Sequence, residues 1–287
     1  MSDKHIDQIS GVETTGHEWD GIRELNNPMP RWWVWTFYAT IIWAIGYTIA
    51  FPAWPLISGA THGVLGWSSR ATVATEMANA KAGQNTYLDK IASSSLEDIQ
   101  ADSELMQFAV AGGAAAFKVN CIQCHGSGAE GGNGYPNLND DDWLWGGKAE
   151  DVYTTITHGI RFTEDPETRV SEMPAFADVL KSDEIRAVAA YVVSLTGTPH
   201  DPAMIDAGKQ IFADNCASCH GEDARGNRDM GAPNLADAIW LKAHSEEGIV
   251  AQIRAPKHGV MPAWGERLGD TTVKQLALFV HSLGGGE

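Results

Sequence analysis

Two copies of the motif Cys-x-x-Cys-His contain every cysteine of the 287-residue sequence, at residues 121–125 and 216–220. This motif is typical of covalent c-type haem attachment, in which two thiols bind the porphyrin edge and the adjacent histidine binds the iron. Paired Cys-x-x-Cys units also form tetrahedral zinc sites. Here a histidine follows each pair directly, and each pair has its own repeated surroundings, so the pattern favours two covalently bound haem c groups. The predicted haem thiols are Cys121, Cys124, Cys216 and Cys219, and the predicted iron ligands beside them are His125 and His220.

The sequence around each motif occurs twice in the same order, which indicates tandem modules, each large enough for its own core. The separation between matching residues falls from 97 for Asn137 and Asn234 to 88 for Met173 and Met261, so the first repeat holds nine additional residues, placed around 161–169. The matching segments are 113–121 with 208–216, 134–138 with 231–235, 173–176 with 261–264, and 191–195 with 279–283.

A sixth iron ligand is predicted at Met173 and Met261, each of which begins a Met-Pro-Ala-aromatic sequence. A thioether donor stabilises ferrous iron and raises the reduction potential relative to two nitrogen donors. Competing ligands are Met230, which has no methionine counterpart in the first repeat, and the histidines His158 and His258. The matched pair of methionines is the preferred interpretation.

A charge-free segment, residues 32–69, lies near the start of the chain. Its first 20 residues would form a helix about 30 Å long, which matches the hydrocarbon thickness of a bilayer. Pro52 then ends the helix, because proline lacks the amide donor. The 31 residues ahead of the segment are polar and net acidic, unlike the basic start of a signal peptide. We therefore predict an uncleaved transmembrane anchor at 32–52.

Charge and chemistry limit the partners and the topology. A formal net charge of −17 excludes a nucleic-acid partner and favours a basic one. Because bacterial c-type haem is attached on the periplasmic side, the residues after the anchor are expected there and the tail is expected in the cytoplasm. Between the anchor and the first haem motif, partial helical spacing of apolar residues predicts two short amphipathic helices within residues 69–103.

The order of landmarks resembles the class I cytochrome c fold, in which helices at both ends enclose loops carrying Pro-Asn-Leu and the sixth ligand. The resemblance implies that Phe117 packs on the C-terminal helix at Tyr191, and that Phe212 does so at Phe279. The predicted fold is all-α, with one N-terminal transmembrane helix followed by two tandem class I cytochrome c domains. The predicted segments are a cytoplasmic tail at 1–31, the anchor at 32–52, a periplasmic helical spacer at 53–104, and cytochrome c domains at 105–196 and 203–287, joined by a linker at 196–202.

The same resemblance implies that the carbonyls of Pro136 and Pro233 accept a hydrogen bond from the free ring N–H of the iron-binding histidines, which fixes their orientation. Four other residues are compatible with contacts to the haem propionates, although residues of these kinds are more often surface or packing residues. They are Arg161, Arg254, Trp143 and Trp240.

The whole chain resembles the dihaem subunit (subunit III) of cbb3-type cytochrome c oxidase. Besides the anchor and both haem modules, the resemblance includes residues 17–22 (His-Glu-Trp-Asp-Gly-Ile) and a following Asn-Pro-Met-Pro turn at 27–30. It implies an electron-transfer subunit without a catalytic centre of its own, in the bacterial inner membrane, with its haem domains in the periplasm. The implied partners are a soluble or membrane-bound cytochrome c donor, a monohaem c-type subunit and the catalytic haem–copper subunit.

Other functions remain open from the residues alone. A membrane-anchored dihaem cytochrome could serve a different complex, such as a dehydrogenase, and co-purification distinguishes that case. A dihaem peroxidase would need asymmetric modules with one open iron, whereas both modules here carry Met-Pro-Ala. Gas sensing is a weaker alternative, tested by carbon monoxide binding.

Overall fold

Helices make up nearly all of the regular secondary structure in the described residues, which confirms the predicted fold class. The computed structural model describes residues 5–197, 201–243 and 245–285. Residues 198–200 of the predicted linker, 1–4 of the predicted tail, and 244 and 286–287 of the second predicted domain therefore lie outside the described residues. By its contacts the chain divides into two units, Met1–Gly83 and Gln84–Glu287.

The apolar helix α1 (Arg31–Ala50) has 20 residues, none of which is buried. Within the described ranges it is the one helix long and apolar enough to cross a membrane, with a mean hydropathy of 1.3. Pro30 stands directly before it and Pro52 follows shortly after it, so both ends lie where proline interrupts the hydrogen-bond pattern. An apolar helix of this length without a buried face is typical of a transmembrane span.

Two small β-hairpins in the first unit depart from the all-α expectation. Strands β1 (Thr14–Trp19) and β2 (Ile22–Leu25) pair antiparallel, as do β3 (Pro55–Leu56) and β4 (Gly59–Ala60). Asp20 and Gly21 connect the first pair with φ angles of 49° and 85°. An Asp-Gly pair favours this tight turn because both positions need positive φ, so the hairpin had a readable sequence signal.

The region after the hairpins forms one long helix and one short helix, α2 (Ser69–Ser93) and α3 (Leu96–Ala101), instead of two short ones. The α2 segment is rich in alanine and has no proline, so nothing interrupts it before residue 94. Ser95 then caps α3 by accepting a hydrogen bond from the Asp98 amide at 3.0 Å. Ile91, Leu96 and Ile99 are buried in a small core with α4 residues, so the end of the spacer belongs to the cytochrome unit.

Nine further helices make up the rest of the described second unit, with a 3₁₀ turn at Arg228–Met230. They are α4 (Ser103–Asn120), α5 (Ile122–His125), α6 (Ala149–His158), α7 (Ser182–Leu195), α8 (Pro202–Asn215), α9 (Ala217–His220), α10 (Glu246–Arg254), α11 (Gly265–Leu268) and α12 (Asp270–His281).

The second unit has two main cores, and each combines helices from both sequence repeats. The first core joins α4 and α6 of the first repeat to α12 of the second repeat. The second core joins α7 of the first repeat to α8 and α10 of the second. Principal buried residues are Phe117, Val152, Ile156, Leu276 and Val280 in the first core, and Ile185, Val188, Phe212, Ile249 and Ile253 in the second.

This exchange corrects the expected pairing of the aromatic residues. Phe117 packs against Phe279, with ring centroids 5.3 Å apart, and Tyr191 packs against Phe212 at 5.4 Å. The prediction that Phe117 meets Tyr191 was therefore wrong, as was the prediction that Phe212 meets Phe279. The connection between Leu195 and Pro202 is short, so α7 and α8 are held close together and pack on each other.

Two of the inter-repeat helix contacts, α4 with α12 and α7 with α8, depend on a glycine. A Cβ atom at Gly113 in α4 would lie inside van der Waals contact of the Gln275 carbonyl and the Phe279 Cβ on α12. A Cβ atom at Gly208 in α8 would meet the Ala187 carbonyl on α7 in the same way. Glycine lets the helix backbones approach at these points, which explains why the two positions match in the repeat.

Candidate functional site: two histidine–methionine centres

Each Cys-x-x-Cys-His motif forms a single helical turn at the end of a longer helix. Cys121 follows α4 directly, and its carbonyl accepts hydrogen bonds from the amides of Cys124 at 3.1 Å and His125 at 2.9 Å. The second motif repeats this arrangement, with 3.1 Å and 3.0 Å for the corresponding amides. The turn brings two thiols and one imidazole together at the end of a helix with one buried face, which suits attachment of one edge of a flat macrocycle.

A proline carbonyl orients each motif histidine. The His125 Nδ1 lies 3.1 Å from the Pro136 carbonyl oxygen, and the His220 Nδ1 lies 3.1 Å from the Pro233 carbonyl oxygen. A carbonyl oxygen only accepts hydrogen bonds, so Nδ1 must carry the proton and donate it. The Nε2 atom of each neutral ring is then left with its lone pair available for a metal ion.

Burial affects the protonation of the histidines and of the first thiol of each motif. It lowers the pKa of His125 and His220, although the proline carbonyls act in the opposite direction. Both rings are therefore held in the neutral form that can bind iron. Burial, with a smaller contribution from the neighbouring thiol, raises the pKa of Cys121 and Cys216 to about 11.

The two predicted methionines lie in the core of the opposite repeat's motif. Met261 of the second repeat packs against the first core, as Cys121 does. Met173 of the first repeat packs against the second core, as Cys216 does. The structure thus groups Met261 with the first motif and Met173 with the second, an exchange that spacing along the chain does not reveal.

Backbone hydrogen bonds hold this exchange in place. We call residues 171–176 the first methionine loop and residues 259–264 the second methionine loop. In the second methionine loop, the Trp264 amide donates to the Ile156 carbonyl of α6 at 3.0 Å. In the first methionine loop, the Phe176 amide donates to the Ile253 carbonyl of α10 at 3.1 Å. The two bonds are equivalent in the repeat, and each joins one repeat's loop to the other repeat's helix.

Met261 itself is fixed by a two-way backbone pair with Ile160, at 2.9 Å for the Ile160 amide and 3.0 Å for the Met261 amide. Gly159 stands next to this pair with a φ of 70°. A Cβ atom there would overlap the Met261 carbonyl, so only glycine permits both the backbone angle and the close approach.

The competing ligands have other surroundings. The His158 Nδ1 lies 3.2 Å from a carboxylate oxygen of Asp165, so this ring is engaged by the additional segment of the first repeat. Met230 is 38% exposed at the end of the 3₁₀ turn, and His258 is exposed. The ligand assignment to Met173 and Met261 stays a prediction that these placements support.

Of the residues considered for propionate contacts, Trp143 donates its ring N–H to the Gly285 carbonyl, and Arg254 donates to the Ser182 hydroxyl at 2.9 Å. Trp240 packs against the second core. Arg161 has a role that the sequence analysis missed, because it donates to carbonyls of both methionine loops. Its only sequence signal was its place in the additional segment of the first repeat.

The acidic residues after the Pro-Asn-Leu segments meet across the two repeats. Burial raises the pKa of Asp142 to about 6, and the charges of Asp237 and Asp140 act in the same direction. Asp142 and Asp140 belong to the first repeat, whereas Asp237 belongs to the second. The negative charges of the two repeats therefore influence each other at Asp142.

The donor sets fit c-type haem. Each core offers one Cys-x-x-Cys-His turn, one imidazole with a free Nε2, and one thioether among apolar side chains such as Leu138 and Leu235. A shared zinc site does not fit, because Cys121 and Cys216 belong to different cores. Among the described residues, no group of three or more His, Cys, Asp or Glu side chains converges as a metal site.

Comparisons with known proteins agree with this geometry. A family model described as the N-terminal domain of cytochrome oxidase-cbb3, FixP, matches residues 11–58. A model described as cytochrome C oxidase, cbb3-type, subunit III, matches twice, at residues 108–192 and 203–280. Cytochrome c-type domains of this kind imply haem c as the cofactor.

Curated relatives match over almost the whole chain. The cbb3-type cytochrome c oxidase subunit FixP of Rhizobium meliloti (strain 1021) is 68% identical over 284 residues, which cover 99% of this chain and 98% of the relative. The subunit FixPc of Rhizobium leguminosarum bv. viciae is 66% identical over 286 residues, and the subunit CcoP of Cereibacter sphaeroides is 54% identical over 290 residues, each covering both chains fully. The resemblance inferred from the motifs is confirmed, and this chain belongs to the FixP/CcoP family of cbb3-type cytochrome c oxidase subunits.

Proposed function

We propose that this chain is the membrane-anchored dihaem electron-transfer subunit of a cbb3-type cytochrome c oxidase in aerobic respiration. It receives electrons from a soluble or membrane-bound cytochrome c on the periplasmic side. It passes them towards the monohaem c-type subunit and the catalytic haem–copper subunit. The observation that carries the proposal is the duplicated centre. In each copy, a half-buried histidine is oriented by a proline carbonyl, and the first cysteine of its turn packs with one methionine against the same core.

Each set of side chains has a defined task. The thiols of Cys121 and Cys124, and of Cys216 and Cys219, form thioether bonds that fix the cofactor covalently. The carbonyls of Pro136 and Pro233 keep Nδ1 protonated, so that Nε2 of His125 and His220 faces the iron. When bound, haem c supplies one-electron transfer between ferric and ferrous iron.

The methionines would complete the centres in exchanged order: Met261 would hold the iron with His125, and Met173 would hold it with His220. A thioether favours the ferrous state, which raises the potential of each centre. A haem held by a histidine and a methionine in this way would have no open position for oxygen or peroxide. The chain therefore acts as a relay, and reduction of oxygen takes place in a partner subunit.

The first unit anchors the relay in the bacterial inner membrane. Helix α1 (Arg31–Ala50) crosses the bilayer once, with the tail up to residue 31 in the cytoplasm and the chain from residue 53 onwards in the periplasm. The net charge of −17 suits a basic cytochrome c donor, because opposite charge accelerates association at low salt.

Co-purification tests the function. The full-length chain, purified in mild detergent from its native membrane, should bring with it a haem–copper subunit and a second c-type cytochrome. The complex should oxidise reduced cytochrome c while consuming oxygen. A complex that instead contains a dehydrogenase, or an isolated chain that turns over peroxide, would contradict the proposal.

Single-haem proteins test the ligand exchange. In full-length protein carrying Cys216→Ser and Cys219→Ser, the remaining ferric centre should show the long-wavelength absorption band of a methionine–iron bond. Replacement of Met261 by Ala should abolish this band, whereas replacement of Met173 should leave it. The reverse result would show that each repeat supplies its own methionine.

A further inference from the structure

Arg161 connects the two methionine loops through one side chain. Its Nε donates to the Gly259 carbonyl at 2.7 Å, and its Nη1 donates to the Ser171 carbonyl at 2.9 Å. Gly259 lies two residues before Met261, and Ser171 lies two residues before Met173. A single guanidinium therefore holds equivalent points of both loops.

The backbone around Arg161 is arranged to make this contact. Arg161 has a φ of 53°, a left-handed conformation that costs a non-glycine residue free energy and persists only where the surroundings enforce it. Its amide donates to the Arg169 carbonyl at 2.8 Å, and the preceding Ile160 pairs with Met261. Backbone hydrogen bonds of Ile160 and Arg161 thus fix the segment from which the Arg161 side chain extends to the two loops.

The contact is also asymmetric. We call the two hydrogen bonds of Arg161 to the methionine loops the fork. Arg161 belongs to the additional segment of the first repeat, so the second repeat has no equivalent arginine at this point. The planar guanidinium can donate along two directions at once, which a lysine ammonium on a flexible stem cannot reproduce at two separate carbonyls. Hydrogen bonds from a charged donor are also stronger than those from a neutral one.

We propose that Arg161 is a positioning residue that fixes both methionine loops together, so that the iron–methionine bonds of the two centres depend on one shared side chain. The inference rests on the proposed function, because it takes Met173 and Met261 as the axial ligands. Loosening the fork lets both thioethers leave their irons more readily. Both centres then lose part of the ferrous stabilisation that methionine provides.

Competition with imidazole in the full-length two-haem protein measures this effect. Imidazole displaces methionine from ferric iron and removes the long-wavelength band. Because loss of a hydrogen bond from a charged donor shifts an equilibrium by roughly tenfold or more, half-displacement in Arg161→Met should need about one tenth of the imidazole that the parent protein needs. Potentiometric titration should show that both midpoint potentials fall. The single-haem proteins then assign the change to each centre.

Two further variants separate the fork from other effects. Arg161→Lys keeps the positive charge and should still lower the imidazole concentration needed for half-displacement in at least one centre. If Arg161→Met does not fold, Arg161→Lys provides the same measurement. Arg23→Met removes an arginine that donates to the Glu18 carboxylate in the N-terminal hairpin, so it should behave like the parent.

Several results would overturn the inference. In Arg161→Met, a change confined to either one of the two centres, or unchanged midpoint potentials, would contradict the shared contact. Full retention of parent behaviour in Arg161→Lys would also contradict it. Absence of the methionine band in the parent single-haem proteins would be a different failure, because it removes the ligand assignment itself and this inference with it.

Discussion

Adjacent glycines in α4 offer a matched test of the inter-repeat helix crossing. At Gly113, a new Cβ would meet the Gln275 carbonyl and the Phe279 Cβ, which are backbone and near-backbone atoms that cannot rotate away. At Gly112, a new Cβ would meet only the end of the Gln275 side chain. We therefore expect Gly113→Ala to force α4 and α12 apart and Gly112→Ala to be tolerated.

The expected magnitudes follow from these contacts. Overpacking costs ~1–3 kcal/mol, and the rigid neighbours of Gly113 place it at the upper end. Replacing an interior helix glycine by alanine returns ~1 kcal/mol. The net destabilisation of Gly113→Ala is then ~2 kcal/mol, which corresponds to a fall in Tm of roughly 4–8 °C for a unit of this size. For Gly112→Ala, the gain in helix propensity and the cost of moving the Gln275 side chain nearly cancel. Its Tm should therefore stay within about 3 °C of the parent value.

Thermal denaturation of the full-length haem-loaded protein in detergent measures the difference in Tm between the two variants. Haem absorbance is the signal, because it comes from the unit that contains the crossing of α4 and α12. Equal stability of the two variants, or a larger loss for Gly112→Ala, would refute the close approach of α4 and α12. Gly208→Ala at the second crossing should resemble Gly113→Ala, since its Cβ would also meet a backbone carbonyl.

Two other predictions concern the exchange and the acidic contact. A double-mutant cycle between Phe117 and Phe279 should give a coupling energy of about 0.5–1.5 kcal/mol, while a cycle between Phe117 and Tyr191 should give a value near zero; the opposite pattern would contradict the exchanged cores. Asp142 binds its proton more tightly in the folded protein, so its contribution to stability is present at low pH and is lost as the pH rises through about 6. Asp142→Asn should therefore raise the free energy of unfolding by ~1 kcal/mol at pH ~7.5, after allowance for solvent screening, and should have no effect near pH ~4. Tm measured at both pH values checks this, and a difference independent of pH would count against it.

Local chemistry in the sequence predicted several features of the structure. Residues 121–125 are a short, contiguous motif, so their turn needs no distant partner. The bond from His125 to Pro136 spans few residues, and its prediction from the family resemblance agrees with the observed distance of 3.1 Å. The apolar run that forms α1 was recognisable because a bilayer demands length and uniform hydrophobicity.

Other features depended on distances that a sequence does not contain. The first hairpin has an Asp-Gly turn signal in the sequence, which the all-α prediction did not use. The single long α2 replaced two predicted helices because partial apolar spacing indicates helix without fixing where it ends. The fork of Arg161 joins carbonyls far apart along the chain, so no local pattern could indicate it.

The sequence by itself determined which residues can hold haem, how many times they occur, and which helix can anchor them, because covalent attachment and membrane insertion are read from contiguous residues. Only the tertiary structure decided which methionine accompanies which histidine. Two similar repeats offer nearly equivalent helix surfaces, so the amino-acid pattern is compatible with pairing within a repeat or between repeats. The short connection between α7 and α8 and the close glycine crossings select pairing between repeats, and this selection makes two tandem motifs one intertwined unit.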